Sequence, residues 1–374
     1  MEELRFIKAQ YTYADFSTSI SPAIELALER RETLGTVVLN IFRGGSFTVG
    51  VLDDPEKSLD LDYCKERKIV VRRRQNTGGA IWGPDGGAFM VIYVDTTLPW
   101  VPLKNIKDAF RVTLTQLADA VKELFNINAV YRPLNDIEVE GRKLIPSSAR
   151  LEKGILTMRL LINVLPTNQD LLKRALKTPI EKIEDKKIKD VAARFTWLEK
   201  EAGRKTDASE LEALTRRTIE KVFGREVTLV PGKLSPLEKD YAAEYQKKYT
   251  SDPWFYANSE RMRFKEIPSD ALKTEGRHKA LAGLIRVTLL IFHDKIHDLI
   301  ITGDFHPTPY GVLKDMEDAL RGKGCDIEIV EEEIQRIFSR PDVEIAGTEV
   351  RDFVSAFRKA FDQAEKGAPR HKGP

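Results

Sequence analysis

At 374 residues, 42% of them apolar and 32% charged, the chain can bury ordinary cores in two or three domains and is not a disordered polymer. A formal net charge of +2 excludes a global nucleic-acid field, so any basic site must be local. All five histidines (His278, His293, His297, His306 and His371) lie beyond residue 277, which leaves the first part of the chain without an imidazole for a Ser-His or Cys-His pair or a His-based zinc site. Cys64 and Cys325 form neither a metal-ligand spacing nor a disulfide framework, and a reducing cytoplasm is the expected compartment. The opening "MEELRFIKAQ" lacks the apolar region of a secretory signal, and the most apolar run, "LAGLIRVTLLIF", is interrupted by Arg286; no membrane and no nucleic acid are expected as partners.

In chain order, "LRFIKAQ" reads as a strand. "SPAIELALERR" reads as a helix with Ser21 as N-cap and Pro22 at its first position. "TVVLNIF" and "SFTVGVL" flank Gly44-Gly45 and read as a hairpin. A short helix near "DLDYCKERK" leads to the strand "KIVVRR", a glycine-rich loop, and the strand "AFMVIYV". "LKNIKDAFRVTLTQLADAVKELF" has helical apolar spacing. "NAVYR", "NDIEVEGRKLIPSSAR" and "GILTMRLLINV" are β segments with Gly141 at the first bend, and helices are expected near Gln169–Leu176 and Ala208–Val222. The polar stretch from Pro231 to Pro253 suits a connecting helix or linker. "ALAGLIRVTLLIF", "HDK" and "IHDLIITGDF" make a β-hairpin, followed by helical patterns at Gly311–Leu320, Glu331–Phe338 and Gly347–Glu365. His293 and His297 are four apart, but on a hairpin they are not helix neighbours and form no metal pair. "EKIEDKKIKD" is a mixed-charge face without the aromatic spacing of a nucleic-acid groove. The chain divides into a large α+β domain over 1–240, a connector over 241–255, a smaller α+β domain over 256–366 and a disordered tail over 367–374.

Chemistry concentrates in two places. "RRRQNTGGAI" puts arginine forks beside glycines, whose bare backbone lets N–H groups approach an anion. "NDIEVEGRK" adds Asn135, Asp136 and Lys143. Each alone is compatible with a solvated turn. Together they resemble the lipoate–protein ligase family, a branch of the biotin and lipoate ligase superfamily. Its members carry an Arg-Arg-x-Ser-Gly-Gly-Gly-Ala-Val loop, an Asn-Asp, and a lysine in a Gly-x-Lys-hydrophobic-Ser-Gly-Ser-Ala stretch. "PAIELALE", "LNIFRGG", "ARFTWLEKEAG" and "GLIRVTLLI" with "IHDLIITGDF" resemble further segments of the family in the same order, the last two within its C-terminal accessory domain.

The resemblance implies an α+β catalytic domain with a mixed sheet and an ATP-dependent ligase that activates lipoate, or octanoate, as an acyl-adenylate. The acyl group would then pass to a lysine of a lipoyl-carrier domain, in a 2-oxoacid dehydrogenase acyltransferase subunit or a glycine-cleavage H-type protein. By position, Arg73 and Arg74 would be the paired arginines, and Asn76, Gly78, Gly79, Ala80 and Ile81 the cradle of the acyl-adenylate. Asn135 and Asp136 would line the nucleotide side with Asp136 as a magnesium contact, Ser147 and Ser148 would bind substrate, and Lys143 would be the central catalytic cation. ATP, Mg²⁺ and lipoic acid are the implied substrates and cofactor, with no tightly bound group and a monomeric chain. The strands around Ile81, Phe89 and Val91 would wall the acyl slot. The alternatives are a non-adenylating paralogue that binds lipoate or lipoylated partners, and a carrier-to-carrier acyltransferase; the latter uses a cysteine nucleophile that neither Cys64 nor Cys325 supplies by position.

Five positions depart from the family pattern. Thr77 takes the third glycine position, and Gly83-Pro84 replaces a His-Asp. "GVLDD" stands for a Gly-Arg-x-Gln-Asn turn, so Val51, Asp53 and Asp54 change its charge. Ile145-Pro146-Ser147-Ser148 stands for Ser-Gly-Ser-Ala, and "LTMRL" for a His-Gly-Thr. Such changes imply a rebuilt pocket or a weakened adenylation.

Overall fold

The computed structural model describes residues 2–367 except 167, 178–194, 306, 310 and 346. The mixed-charge stretch 181–190, His306, and the tail with His371 fall outside the described residues. The first strands are β1 (Glu2–Ala9), β2 (Thr36–Ile41), β3 (Ser46–Val49), β4 (Val70–Arg73), β5 (Ile81–Gly83) and β6 (Ala88–Asp95). They are followed by β7 (Val130–Arg132), β8 (Asp136–Val139), β9 (Arg142–Glu152), β10 (Ile155–Ile162) and β11 (Val227–Pro231). The last are β12 (Leu272–Lys279), β13 (Leu284–Phe292), β14 (Lys295–Gly303), β15 (Pro307–Thr308) and β16 (Glu344–Ile345).

Eight strands make one mixed sheet in the order β11-β1-β2-β6-β10-β9-β8-β7, parallel at β11-β1-β2 and antiparallel elsewhere. The run "AFMVIYV" is nearly continuously apolar because β6 is covered on both faces. Ala88, Met90, Ile92 and Val94 face the layer of the helices Ile106–Phe125 and Ala208–Phe223, while Phe89, Val91 and Tyr93 face that of Ser21–Glu29 and Pro236–Tyr249.

Local signals mislead at two points. Ser21 is not an N-cap: it has helical φ/ψ of −59° and −49°, and its hydroxyl accepts from buried Tyr93 Oη at 2.8 Å. The helix starts earlier, at Tyr13, where Thr12 Oγ1 accepts from Asp15 N, and runs through a π-helical turn over Phe16–Ile20. Gly44-Gly45 does not close a hairpin either. β2 stays in the large sheet, whereas β3 pairs with β4 (parallel) and β5 (antiparallel) in a separate small sheet over Phe47, Leu59, Tyr63 and Cys64. Within the expected connector, the helix Pro236–Tyr249 packs through Ala242, Tyr241 and Tyr245 against the large-sheet layer.

In the C-terminal unit, β12-β13-β14 form an antiparallel sheet under the helices Val312–Leu320, Ile327–Phe338 and Val350–Gly367. Its hairpin turns on His293 and Asp294 at φ of 51° and 56°, the two-residue left-handed turn that suits twisted strands. Among the described residues no group of three or more His, Cys, Asp or Glu could hold a metal ion, and no helix is long and apolar enough to cross a membrane.

The segment Gly50–Asp54, leaving β3, straps the two halves together. Leu52 is buried in the C-terminal core beside Val287, Ile301 and Phe305, and its carbonyl accepts from Gly303 N at 3.0 Å. Leu52→Ala is expected to lower the unfolding free energy by about 2–5 kcal/mol, the range for truncating a buried leucine. Urea denaturation followed by tryptophan fluorescence checks this, and a change within about 0.5 kcal/mol would put Leu52 outside the core.

Candidate active site

Arg74 builds the glycine-rich loop from below. Its side chain is buried, with Nη1 donating to Thr48 Oγ1 at 3.0 Å and Nη2 to Thr77 O at 2.6 Å and Gly79 O at 3.0 Å. In a trans peptide the N–H points opposite the preceding C=O. With the Thr77 and Gly79 carbonyls turned in toward Arg74, the amides of Gly78 and Ala80 point away from it, as an anion cradle requires. Gly78 takes φ +88°, and its carbonyl lies where a Cβ on Gly50 would come within 1.9 Å, so only glycine at 50 lets the strap pass. Ala80 packs toward the small-sheet core and Ile81 toward the large-sheet layer. Asn76 contributes its carbonyl, which accepts from Val51 N at 2.9 Å.

Arg73 is placed differently. Buried at 3% exposure, it donates from Nη1 to Trp254 O at 2.9 Å and from Nη2 to Val51 O, and the Trp254 indole returns a 2.7 Å hydrogen bond to Arg73 O. Its guanidinium also lies 4.9 Å from the centre of that indole ring. Burial pushes its pKa down to about 10, against the pull of Asp54 and Asp53. In this conformation Arg73 ties the loop to the strap and to the segment after the helix Pro236–Tyr249.

β8 and β9 bring Asp136 and Lys143 together: Lys143 Nζ lies 2.7 Å from Asp136 Oδ2, both part-exposed. The other oxygen, Asp136 Oδ1, is buried with no hydrogen-bond partner among the described residues. Asn135 and Ser147 lock the strand start, with Asn135 Nδ2 donating to Ser147 O at 2.6 Å and Ser147 Oγ to Asn135 O at 2.7 Å. Ser148 is exposed and sits directly across from Arg159 of β10. Strict alternation would put Lys143 on the Ser147 face. The register instead slips between Ile137 and Glu138, so that Leu144 is an extra residue and shares the core cluster with Ile145. This bulge restores Lys143 to the face of Ser148 and Arg150. The segment resembling the end of the catalytic domain pins the lysine's backbone: Phe195 bridges to Lys143, and Thr196 N donates to Lys143 O at 3.0 Å.

The remaining departures have physical causes. A Cβ on Gly83 would lie 2.2 Å from Tyr13 Cβ, so the buried Tyr13 ring fills the room of the missing side chain. Phe89 sits in a ring cluster with Tyr13, Phe16 and Phe42 at centroid separations of 5.3–6.3 Å, and with Val91 it is core. Asp53 and Asp54 turn toward the C-terminal unit: Ser259 Oγ donates to Asp54 Oδ1 at 3.2 Å, and Arg286 Nη1 lies 3.7 Å from Asp53 Oδ1.

Arg159 was not among the residues singled out from the sequence, although a single arginine inside the apolar strand "ILTMRLLI" was the available signal. It is buried on the site face, with Nη2 3.4 Å from Glu25 Oε2 and Nη1 unpartnered among the described residues. Arg150 completes the group, 2.8 Å from Glu25 Oε1. Burial pushes both thiols, Cys64 and Cys325, up to about 11, so neither is poised as a thiolate nucleophile.

Residues 27–220 match the family of the lipoyl protein ligase A/B catalytic domain. A lipoate–protein ligase 2 of Staphylococcus aureus is 23% identical over 279 residues, covering 73% of this chain and 76% of that one. In fold, the chain resembles the P. falciparum LipL1 structure, solved in complex with lipoate, with a TM-score of 0.66 at 16% identity over 97% of this chain and 98% of that one. It also resembles a chain from a structure of the bipartite lipoate protein ligase of Thermoplasma acidophilum and its E2 lipoyl domain, with a TM-score of 0.56 at 21% identity over 72% of this chain and 100% of that one.

The Asp54 carboxyl is pushed up from the ordinary 3.8 to about 6, chiefly by burial. Between those values the unfolded chain has released this proton and the folded chain still holds it. The stability that it contributes is therefore full below the ordinary aspartate range and is lost as pH rises through about 6, a fall of about 2–3 kcal/mol. Asp54→Asn keeps the acceptor for Glu56 N and Ser259 and is expected to flatten that fall. Unfolding midpoints of the two proteins at pH 4.5 and 7.5 measure it, and identical pH profiles would show that Asp54 is not the group responsible.

Proposed function

Since the chain belongs to the lipoyl protein ligase A/B family and is an enzyme of that kind, we propose that it activates lipoate, or octanoate, with ATP and passes the acyl group to a lysine of a lipoyl-carrier domain. The observation that carries this reading is the Lys143–Asp136 pair, at 2.7 Å and part-open, with one carboxylate oxygen left bare. The lipoate in the P. falciparum structure and the E2 lipoyl domain in the archaeal one support the substrate and the partner.

The chemistry asks for these residue types. In the first step a carboxylate oxygen attacks the α-phosphorus of ATP, the bond to the β,γ-unit breaks, and pyrophosphate leaves. Two anions must be brought together, so fixed positive charge and aimed N–H groups lower the barrier. Lys143 supplies the point charge, and the outward amides of the Arg74-held loop supply donors that need no reorganisation. Asp136 would hold magnesium through Oδ1, because that ion takes one or two carboxylates and fills its shell with water and substrate phosphates. It would supply charge neutralisation at the phosphates. In the second step the carrier amine attacks the acyl carbon, the C–O bond to phosphate breaks, AMP leaves, and the amine loses a proton. No enzyme nucleophile is needed, consistent with the raised thiols.

Incubation with ATP, Mg²⁺, lipoate and a carrier domain should add one lipoyl mass to the carrier; no gain, where a known ligase gives one, would overturn the proposal. Lys143→Ala is expected to slow transfer by about 10²–10³-fold, the cost of removing a charge-stabilising donor. Lys143→Arg should not restore it, because a planar fork does not replace a point charge. Modification at the wild-type rate by the alanine variant would remove Lys143 from the mechanism.

A further inference from the structure

Beside the strap, a cavity of about 680 Å³ opens between the two halves of the chain. Its wall carries Lys57 from the first half and Lys273, Arg277 and Arg286 from the second. The acids on it are Asp54, Glu56 and Glu260, against six lysines and arginines in all. Part of this charge is consumed internally: Lys57 bridges Glu260 and Glu275 at 2.9 Å each, and Lys273 reaches Glu260 at 2.7 Å.

Arg286, the residue that interrupts the most apolar run of the sequence, is not satisfied in this way. It is 3% exposed, near the start of β13. Its Nη1 stands 3.5 Å from Thr302 Oγ1 and 3.7 Å from Asp53 Oδ1, and Nε is 4.0 Å from Glu275 Oε1 with no hydrogen bond among the described residues. A buried guanidinium is stable with short, forked acceptors, and these contacts are long. The register makes the need sharper. Arg286 lies directly across from Arg277 of β12, and like charges in that position repel. Glu275 reaches Arg277 Nε at 2.5 Å but Arg286 only at 4.0 Å, so it serves one arginine of the two.

From the crossed arginines, the unpartnered buried Nε and the cavity in front of them, we propose a binding site for a small phosphate-bearing anion, held by Arg286, Arg277 and Lys273. A phosphate group offers several acceptor oxygens to cations arriving from different strands, where a carboxylate offers two. The volume is that of a small-ligand pocket, and Phe264 and Ile267 give it an apolar side for the rest of an organic phosphate. The proposal does not depend on the acyl-transfer reading, since it is tested without lipoate, ATP or carrier.

The test titrates inorganic phosphate, pyrophosphate and citrate into the full-length protein without Mg²⁺, followed by calorimetry and thermal shift. Pyrophosphate and phosphate should bind and raise the unfolding temperature. Arg277→Gln at a partly exposed position and Lys273→Gln at an exposed one should each weaken binding by about tenfold or more, as expected for loss of one charge-assisted contact. Lys143→Ala, which lacks the cation proposed for the catalytic site, should keep the binding that these two substitutions weaken. No binding, or binding of citrate alone, overturns the phosphate assignment. Binding that survives both glutamine variants, or that is lost in Lys143→Ala, places the anion elsewhere and overturns the site.

Discussion

A guanidinium buried between main-chain carbonyls cannot leave them without stranding a charge in a poorly solvated place, and the Arg73 side chain is held in that way. Three separate pieces of chain meet on it. Val51, whose carbonyl it takes, also accepts from Asn258 Nδ2 at 2.8 Å, while the Val51 N–H donates back to Asn76 in the glycine-rich loop. Trp254 is bound in both directions. The loop, the strap and the start of the C-terminal unit are therefore one hydrogen-bonded object. The neighbouring Arg74 can then set Nη2 on the loop carbonyls of Thr77 and Gly79 while Nη1 holds Thr48, which fixes the direction of the outward amides.

Two arginines side by side in sequence thus do opposite work, and nothing local distinguishes them. "RR" followed by glycines reads as paired ligand contacts. The partition depends on Val51 and Trp254, one some 20 residues before and the other about 180 after, brought in by tertiary packing that no residue pattern announces. The same strap explains Asp53 and Asp54. Read in sequence they add negative charge next to an anion site; in the structure they face Arg286 and Ser259 across the seam between the halves.

Signals that a short stretch can settle by itself were legible. The hairpin at "HDK" follows from turn chemistry, and the helix Ile106–Phe125 from its apolar spacing. Lys143, Asp136 and the Arg74-held loop stand out by pattern, and the fold brings Lys143 and Asp136 together. Signals failed where a partner chosen elsewhere overrode them. Gly44-Gly45 has hairpin composition, but β3 finds a parallel partner in β4. Ser21 is a good cap that Tyr93 recruits into a buried hydrogen bond. The face that Lys143 occupies could not be read, since one bulged residue inverts the alternation. Arg159 was passed over because a lone arginine has no motif, and its meaning comes only from Glu25 and Ser148 across the layer.

The strap also sets an order of events during synthesis. Leu52 belongs to a hydrophobic cluster whose other members come from residue 280 onward. Its socket leaves the ribosome about 250 residues later, on the order of 10–50 s at ordinary elongation rates. For that interval an apolar Val-Leu pair stands without its socket, and the two aspartates beside it without Arg286 and Ser259. The glycine-rich loop held through Val51 has its final shape only after the last helices have packed. The catalytic half of the chain is thus made first and finished last.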